Sequence, residues 1–135
     1  MPLLSWTEEF SVEVQSIDRQ HQKLFQMLNE LHDAMKVGNG TKLAPAILTR
    51  LVAYTHEHFA TEEALMKHAG YPGLAAHRAE HEKLTQQVAK MAKDLADGNA
   101  ATTTSLLDFL RNWLRSHILT RDKSYTAHFR AAGIH

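Results

Sequence analysis

Cysteine is missing from all 135 residues. That excludes disulfides, thiolate-held iron–sulfur clusters, CxxCH haem attachment and a cysteine nucleophile. Proline and glycine are scarce, at three and six, and strand signals are missing, so long helices have few interruptions. No apolar run approaches the roughly 20 residues of a membrane span. The segment Met1–Trp6 is too short for a signal peptide and lacks its charged flank, so a soluble, cytoplasmic chain without membrane insertion is expected. Net charge is also missing: fifteen basic residues balance fifteen acidic ones. A neutral chain has no general electrostatic reason to bind nucleic acid or an anionic membrane. What remains is an ordinary globular composition, 44% hydrophobic and 22% charged, at a length that suits one domain over residues 1–135. One count is out of proportion, the ten histidines.

Breakers at Gly38-Asn39-Gly40, Gly70-Tyr71-Pro72-Gly73 and Gly98-Asn99 divide the chain into segments of helical length. The pattern predicts four long helices, over 18–37, 42–68, 73–97 and 102–119, and a short one near 122–131. Pro45 follows Thr41 closely and suits a first helical turn, whose N–H groups have no intrahelical partner. The first 17 residues read as an extended arm pinned by Trp6, Phe10 and Ile17. Short connections between long helices imply antiparallel neighbours. The expected fold is therefore all-α: an up-down-up-down four-helix bundle with an N-terminal arm and a short C-terminal helix.

Each long helix carries an apolar stripe at steps of three and four: Leu24, Leu28, Leu31 and Met35 on the first, Leu51 and Leu65 on the second. The third has Leu74, Leu84, Val88, Met91 and Leu95, and the fourth Leu106, Leu110 and Trp113. Polar residues interrupt these stripes where leucine belongs. They are His21; Thr55, His58 and Glu62; His77 and His81; and His117. The i,i+4 spacing sets His58 with Glu62, and His77 with His81, one turn apart on one face. Burying an unpaired polar group costs roughly 2–7 kcal/mol, and an ionised carboxylate more. A core that holds several needs a compensating partner, and a metal is the simplest.

Height along the bundle points the same way. His21 and the pair His77/His81 lie near helix starts, whereas His58, Glu62 and His117 lie toward helix ends. In an antiparallel bundle those levels coincide. Asp122 lies five residues beyond His117, roughly 140° off its face in a regular helix. Asp122, Tyr125 and Phe129 nevertheless start a new stripe, which suggests that the helix ends or kinks and swings Asp122 inward. A lone histidine on an apolar face is more often a satisfied core residue than a ligand; five histidines and two carboxylates at one level are a different matter. The other histidines fail the test. His56 is about 200° round the helix from His58, and His32 lies about 16 Å along the core from His21. His68, His128 and His135 sit at segment ends.

Five imidazoles and two carboxylates are too many for one tetrahedral zinc. Nitrogen and oxygen donors without sulfur suit iron, copper, manganese or zinc. Two octahedral metals offer twelve positions. If both carboxylates bridge and an oxide or hydroxide bridges too, the five histidines bring the tally to eleven and leave one vacancy.

Taken together, the residues resemble the haemerythrin family, in particular its single-domain bacterial members. Ile17-Asp18-Arg19-Gln20-His21 is similar to the family's first-helix motif, and His58-Phe59-Ala60-Thr61-Glu62-Glu63 to its HFxxEE. Gly70-Tyr71-Pro72 followed by His77-Arg78-Ala79-Glu80-His81 resembles its HxxxH segment. Trp113-Leu114-Arg115-Ser116-His117 with Asp122 resembles its HxxxxD ending, and Trp6 fits too. The resemblance implies two Fe ions in an oxo- or hydroxo-bridged pair. It implies that His77, His81 and His117 hold one iron, that His21 and His58 hold the other, which keeps the vacancy, and that Glu62 and Asp122 bridge them. It implies reversible binding of dioxygen for carriage, storage or delivery to an oxygen-consuming partner enzyme, by a monomer. Many relatives have proline soon after the last histidine, where this chain has Ile118-Leu119-Thr120-Arg121.

Binding rather than activation of oxygen fits the donor set. Oxygen-activating di-iron bundles use four carboxylates with two Glu-x-x-His pairs, and this chain has no Glu-x-x-His. Trp113, Ile118 and Leu119 flank His117 and are expected to line a dry pocket. The alternative function is oxygen or nitric oxide sensing through a partner protein. His77-Arg78-Ala79-Glu80-His81 also matches the H-x-x-E-H zinc-peptidase pattern, with Glu80 as base. That reading leaves His21, His58, Glu62 and His117 without a role, and the chain is not expected to be an enzyme.

Overall fold

The computed structural model describes the backbone of residues 3–36, 40–97 and 101–135, and the side chains of 3–35, 45–94, 97 and 105–135. Helix α1 spans Gln15–Lys36, α2 Gly40–His68, α3 Leu74–Ala96 and α4 Ala101–His117. The chain then continues through a π turn over Ile118–Asp122 and a 3-10 turn over Lys123–Tyr125 into α5, Thr126–Ala131. Each long helix packs against its neighbours in sequence, and α4 closes back on α1. This is the expected bundle. The predicted breaks at Gly38-Asn39 and Gly98-Asn99, residue 37 of the first predicted helix and the side chain of Leu95 lie outside the described residues.

The structure differs from expectation at three helix ends. Helix α1 begins at Gln15 rather than residue 18. The Asp18 carboxylate does not open the helix. It accepts the Ser11 hydroxyl at 2.6 Å and the Val12 N–H at 2.9 Å, and so ties the arm across the first turn. Glu13, at the bend between arm and helix, takes a left-handed φ of 61°. Helix α2 begins at Gly40, which puts Pro45 in its second turn. The regular α4 ends at His117 rather than residue 119, where the phase break suggests an end or kink, and the chain widens into the π turn.

The arm is pinned as expected. Phe10 is buried, and its ring meets Phe25 edge-on at 5.0 Å, with Trp6 packed 5.5 Å from the same Phe25. Gly70 ends α2 with a φ of 65°. Its N–H reaches Lys67 O at 3.2 Å while the Tyr71 N–H reaches Met66 O at 2.9 Å. This paired closure needs a left-handed residue, which glycine supplies without a Cβ clash. The reversal delivers His77 one turn into α3.

The buried apolar residues form two clusters. The larger contains Leu24, Leu28, Leu51, Leu84, Leu110 and Ile118 among others. The smaller contains Val12, Val14, Ile17, Met66, Tyr125 and Phe129. On α1, α2 and α3 the polar residues of the stripe fall between these two clusters in sequence. The bundle thus carries a polar layer between two apolar ones.

Candidate metal centre

All seven residues singled out from the sequence are buried: His21, His58, His77, His81, His117, Glu62 and Asp122, none more than 5% exposed. Among the described residues they form two groups that share Asp122. One group is His77, His81, His117 and Asp122; the other is His21, His58, Glu62 and Asp122. Within each, the donor atoms lie within 4.8 Å of one another. His56, His68, His128 and His135 are exposed and His32 is half-buried, away from the cluster.

The distances are those of atoms crowding round common points. In the first group His117 Nε2 stands 3.2 Å from both His81 Nε2 and His77 Nε2. Asp122 Oδ1 lies 2.9 Å from His77 Nε2 and 3.0 Å from His117 Nε2. Its other oxygen, Oδ2, faces the second group, 3.1 Å from His21 Nε2. Glu62 also looks both ways: Oε1 lies 2.6 Å from His58 Nε2, and Oε2 lies 4.0 Å from His77 Nε2. Two carboxylates thus each turn one oxygen to either group.

These donors fit a pair of metal ions. Donors on adjacent corners of an octahedron with bonds of about 2.1 Å stand about 3 Å apart. Despite their closeness, His21 Nδ1 and Nε2, Glu62 Oε1 and both Asp122 oxygens make no hydrogen bond of acceptable geometry. Buried polar atoms are almost always satisfied. A cation between the atoms satisfies the lone pairs that the protein leaves free.

The far sides of three of the five rings are held from outside. The His58 Nδ1 proton goes to Gln20 Oε1 at 2.7 Å. His81 Nδ1 meets Glu63 Oε2 at 3.1 Å, and Glu63 Oε1 accepts from Arg78 Nε at 2.8 Å. His117 Nδ1 lies 3.3 Å from Glu80 Oε2, and Glu80 Oε1 pairs with Arg121 Nε at 2.7 Å. Each of these contacts places the proton on Nδ1 and aims the Nε2 lone pair inward, and it raises the basicity of the ring. Phe59 stacks on His81 at 3.6 Å and Trp113 on His117 at 4.3 Å, which fixes both ring planes. Tyr125 donates its hydroxyl to Glu62 Oε2 at 2.8 Å.

Burial and charge act in opposite directions on these groups. Burial pushes His81 down to about 4, so its ring is neutral, as a ligand must be. Burial also pushes His117 down, but the Asp122, Glu62 and Glu80 carboxylates outweigh it and raise the ring. Asp122 is held well below the carboxylate range: burial pushes it up, and His117, then His21 and His77, overcome that. Burial, with help from Glu62 and Asp122, lifts Tyr125 well above the usual phenol range, so its proton stays in place.

Glu80 is not the base of a peptidase. It meets the outer Nδ1 of His117, away from the inward-facing nitrogens, and is itself engaged by Arg121. The π turn explains Asp122. Its hydrogen bonds run from i to i+5, so the fifth residue after His117 comes round above it rather than 140° away.

A cavity of about 40 Å³ adjoins His21 and His58, and also reaches His117 and the shared Asp122. Its wall includes Leu24, Leu28, Leu51, Phe59, Leu110 and Leu114. A water needs about 10–15 Å³ of such volume, so the cavity takes a diatomic molecule with little to spare. Trp113 lines it as expected. Ile118 and Leu119 do not; Ile118 is part of the larger apolar cluster and Leu119 packs against it. Sequence reasoning missed the roles of Gln20, Glu63, Glu80 and Tyr125, all of which lie next to or within the motifs quoted above.

The fold and site define a histidine- and carboxylate-lined two-metal centre inside an antiparallel four-helix bundle. Residues 12–128 match the hemerythrin HHE cation binding domain, and the chain belongs to the hemerythrin family of di-iron oxygen-binding proteins. It is 39% identical to a bacteriohemerythrin of Methylococcus capsulatus over 126 residues, 93% of this chain and 95% of the relative. A bacteriohemerythrin of Stenotrophomonas maltophilia is 34% identical over 131 residues, 97% of this chain and 84% of the relative. The crystal structure of a wild-type hemerythrin superposes with a TM-score of 0.86 at 38% identity, over 93% of this chain and 96% of that one. A single-substitution mutant of hemerythrin gives 0.88 at 37% identity, over 95% and 98%. None of these matches favours the sensing alternative. Among the described residues no helix is long and apolar enough to cross a membrane.

Proposed function

We propose that this protein binds dioxygen reversibly at an iron pair held by the seven buried residues, and that it is a carrier or store rather than an enzyme. In this reading His77, His81 and His117 hold one iron, His21 and His58 hold the other, and Glu62 and Asp122 bridge them. The observation that carries it is the lopsided donor count beside the cavity. One group offers three imidazoles and the other two, and the cavity adjoins both imidazoles of the poorer group, His21 and His58, but only His117 of the richer one.

When bound, the iron pair supplies the two electrons that hold dioxygen reversibly. The protein supplies the rest. Gln20 fixes the His58 ring, Glu63 the His81 ring and Glu80 the His117 ring. Tyr125 donates its hydroxyl hydrogen bond to Glu62 Oε2 and so holds that carboxylate in its two-way orientation. The leucine and aromatic wall excludes water, whose entry would favour loss of reduced oxygen and leave inert ferric iron. The protein acts as a monomer in the cytoplasm and passes its dioxygen to an oxygen-consuming enzyme.

Gas titration of the ferrous, iron-loaded protein tests this reading. The expected uptake is one dioxygen per two irons, recovered under vacuum. Consumption of dioxygen without recovery overturns it.

A further inference from the structure

Three voids that share wall residues lie in succession from the surface between α2 and α3 toward the cavity beside His21 and His58. The outermost is an open groove of about 360 Å³ that includes His56, Arg78, Glu82 and Thr85. Beneath it lies a chamber of about 30 Å³ whose wall includes His56, Thr85, Val52 and Val88. Groove and chamber therefore share His56 and Thr85. The chamber and the inner cavity in turn share Leu51, Thr55, Leu84 and Leu110. The inner cavity and the chamber lie back to back, with one ring of four side chains between them.

The chamber is apolar in a specific way. Its threonines are the polar groups nearest the inner cavity, and both hydroxyls are already committed. Thr55 donates to Leu51 O at 2.7 Å and Thr85 to His81 O at 2.9 Å. With the protons bound to their own helices the two hydroxyls can only accept, and apart from His56 at the mouth the remaining wall is aliphatic, so a water there is weakly held. Apolar voids of this kind stay dry and accept xenon or small apolar molecules. Dioxygen is such a molecule.

The other large cleft at the site lies between α3 and α4 and includes Lys83, Gln87 and Asn112. It meets the inner cavity only at Trp113 and His117, two rings stacked at 4.3 Å and 13°. That stacked pair stands between the cleft and the inner cavity, whereas the wall shared with the chamber is formed by three aliphatic side chains, Leu51, Leu84 and Leu110, with Thr55.

We propose that the chamber bounded by Val52, Thr55, Leu84 and Val88 is a second docking site for dioxygen, and that the gas reaches the centre through it from the His56/Thr85 mouth. The proposal rests on the oxygen-binding reading above. A passage has a kinetic signature. Obstructing it slows arrival and departure alike and leaves the equilibrium where it was, because neither end state occupies the chamber.

The test uses the full-length, iron-loaded protein and Val52→Phe, which fills the chamber from a residue that touches neither metal donors nor the inner cavity. Stopped-flow and photolysis measurements are expected to show dioxygen association and dissociation both slowed at least about fivefold, with Kd unchanged. Wild-type crystals under pressurised xenon are expected to show an atom between Val52, Leu84 and Val88, and this measurement stands if Val52→Phe does not fold. Unchanged rates in a folded, iron-loaded Val52→Phe, a change in only one rate, or a chamber without xenon overturns the passage. A wild-type protein that takes up no dioxygen while xenon occupies the chamber overturns the reading of the centre instead, and with it the role of the chamber as a dioxygen site.

Discussion

The Tyr125 hydroxyl donates to Glu62 Oε2 at 2.8 Å, and both residues are wholly out of water. They are 63 residues apart in the chain, so this bond ties the segment after the π turn to the middle of the bundle. It also leaves Glu62 Oε1, turned to His58, as the oxygen without a hydrogen bond. Tyr125 is thus a positioning residue for a carboxylate that faces both groups.

Tyr125→Phe removes one hydroxyl from a stacked, buried ring that Phe129 supports at 4.2 Å. A buried acceptor left without its donor costs about 1–3 kcal/mol. The variant is expected to fold, to melt several degrees lower and to hold iron about 10–100-fold less tightly. Competition with a ferrous chelator reads the affinity, and thermal unfolding followed by circular dichroism reads the rest.

Glu63→Ala separates two roles. The carboxylate joins Arg78 to His81 Nδ1, and its side chain is 21% exposed, so its removal leaves little void. Stability is expected to change by less than about 1 kcal/mol. Iron affinity is expected to fall about 10–100-fold. Chelator competition beside a denaturant titration measures both; a loss of stability without a loss of affinity contradicts the role.

His58→Ala and Glu62→Ala differ in kind. His58 belongs to the poorer group, and its loss is expected to leave one iron per chain and no dioxygen uptake. Glu62 turns an oxygen to each group, and its loss is expected to displace both irons. Elemental analysis after desalting distinguishes them. Glu80→Gln is expected to keep two irons at saturation while weakening their hold, because the amide oxygen still accepts from His117 Nδ1 without the charge.

Metal removal exposes the energetic cost of the polar layer. Four atoms that face the two groups, His21 Nε2, Glu62 Oε1 and both Asp122 oxygens, lack hydrogen-bond partners in the protein. Each costs about 1–3 kcal/mol when left so. For a domain of this size one kcal/mol is worth about 4 °C in melting temperature. The chelated protein is expected to melt more than about 10 °C below the iron-loaded form, a difference that calorimetry of the two forms measures.

Six of the seven donors were legible because each sits on an apolar stripe at a place where leucine belongs, and because antiparallel helices bring those places to one level. Asp122 was legible only as a new stripe with Tyr125 and Phe129; the device that aims it was not, because a π turn is a matter of hydrogen-bond partners and Ile118-Leu119-Thr120-Arg121 carries no proline or glycine to mark it. Glu63, Glu80 and Gln20 lie off the stripes and act across helix boundaries, so periodicity gives them no signal. Their adjacency to ligands in the motifs was the available hint. The predicted start of α1 at residue 18 fell three residues late; helix α1 begins at Gln15, and the Asp18 carboxylate reaches back to the arm from within its first turn.

Optical spectra of the ferrous protein, cycled between dioxygen and argon, test the central claim most directly. With two irons per chain confirmed on the same sample, an absorption band is predicted to grow under dioxygen, vanish under argon and return over many cycles. A single metal per chain, or colour that develops once and never reverses, contradicts it.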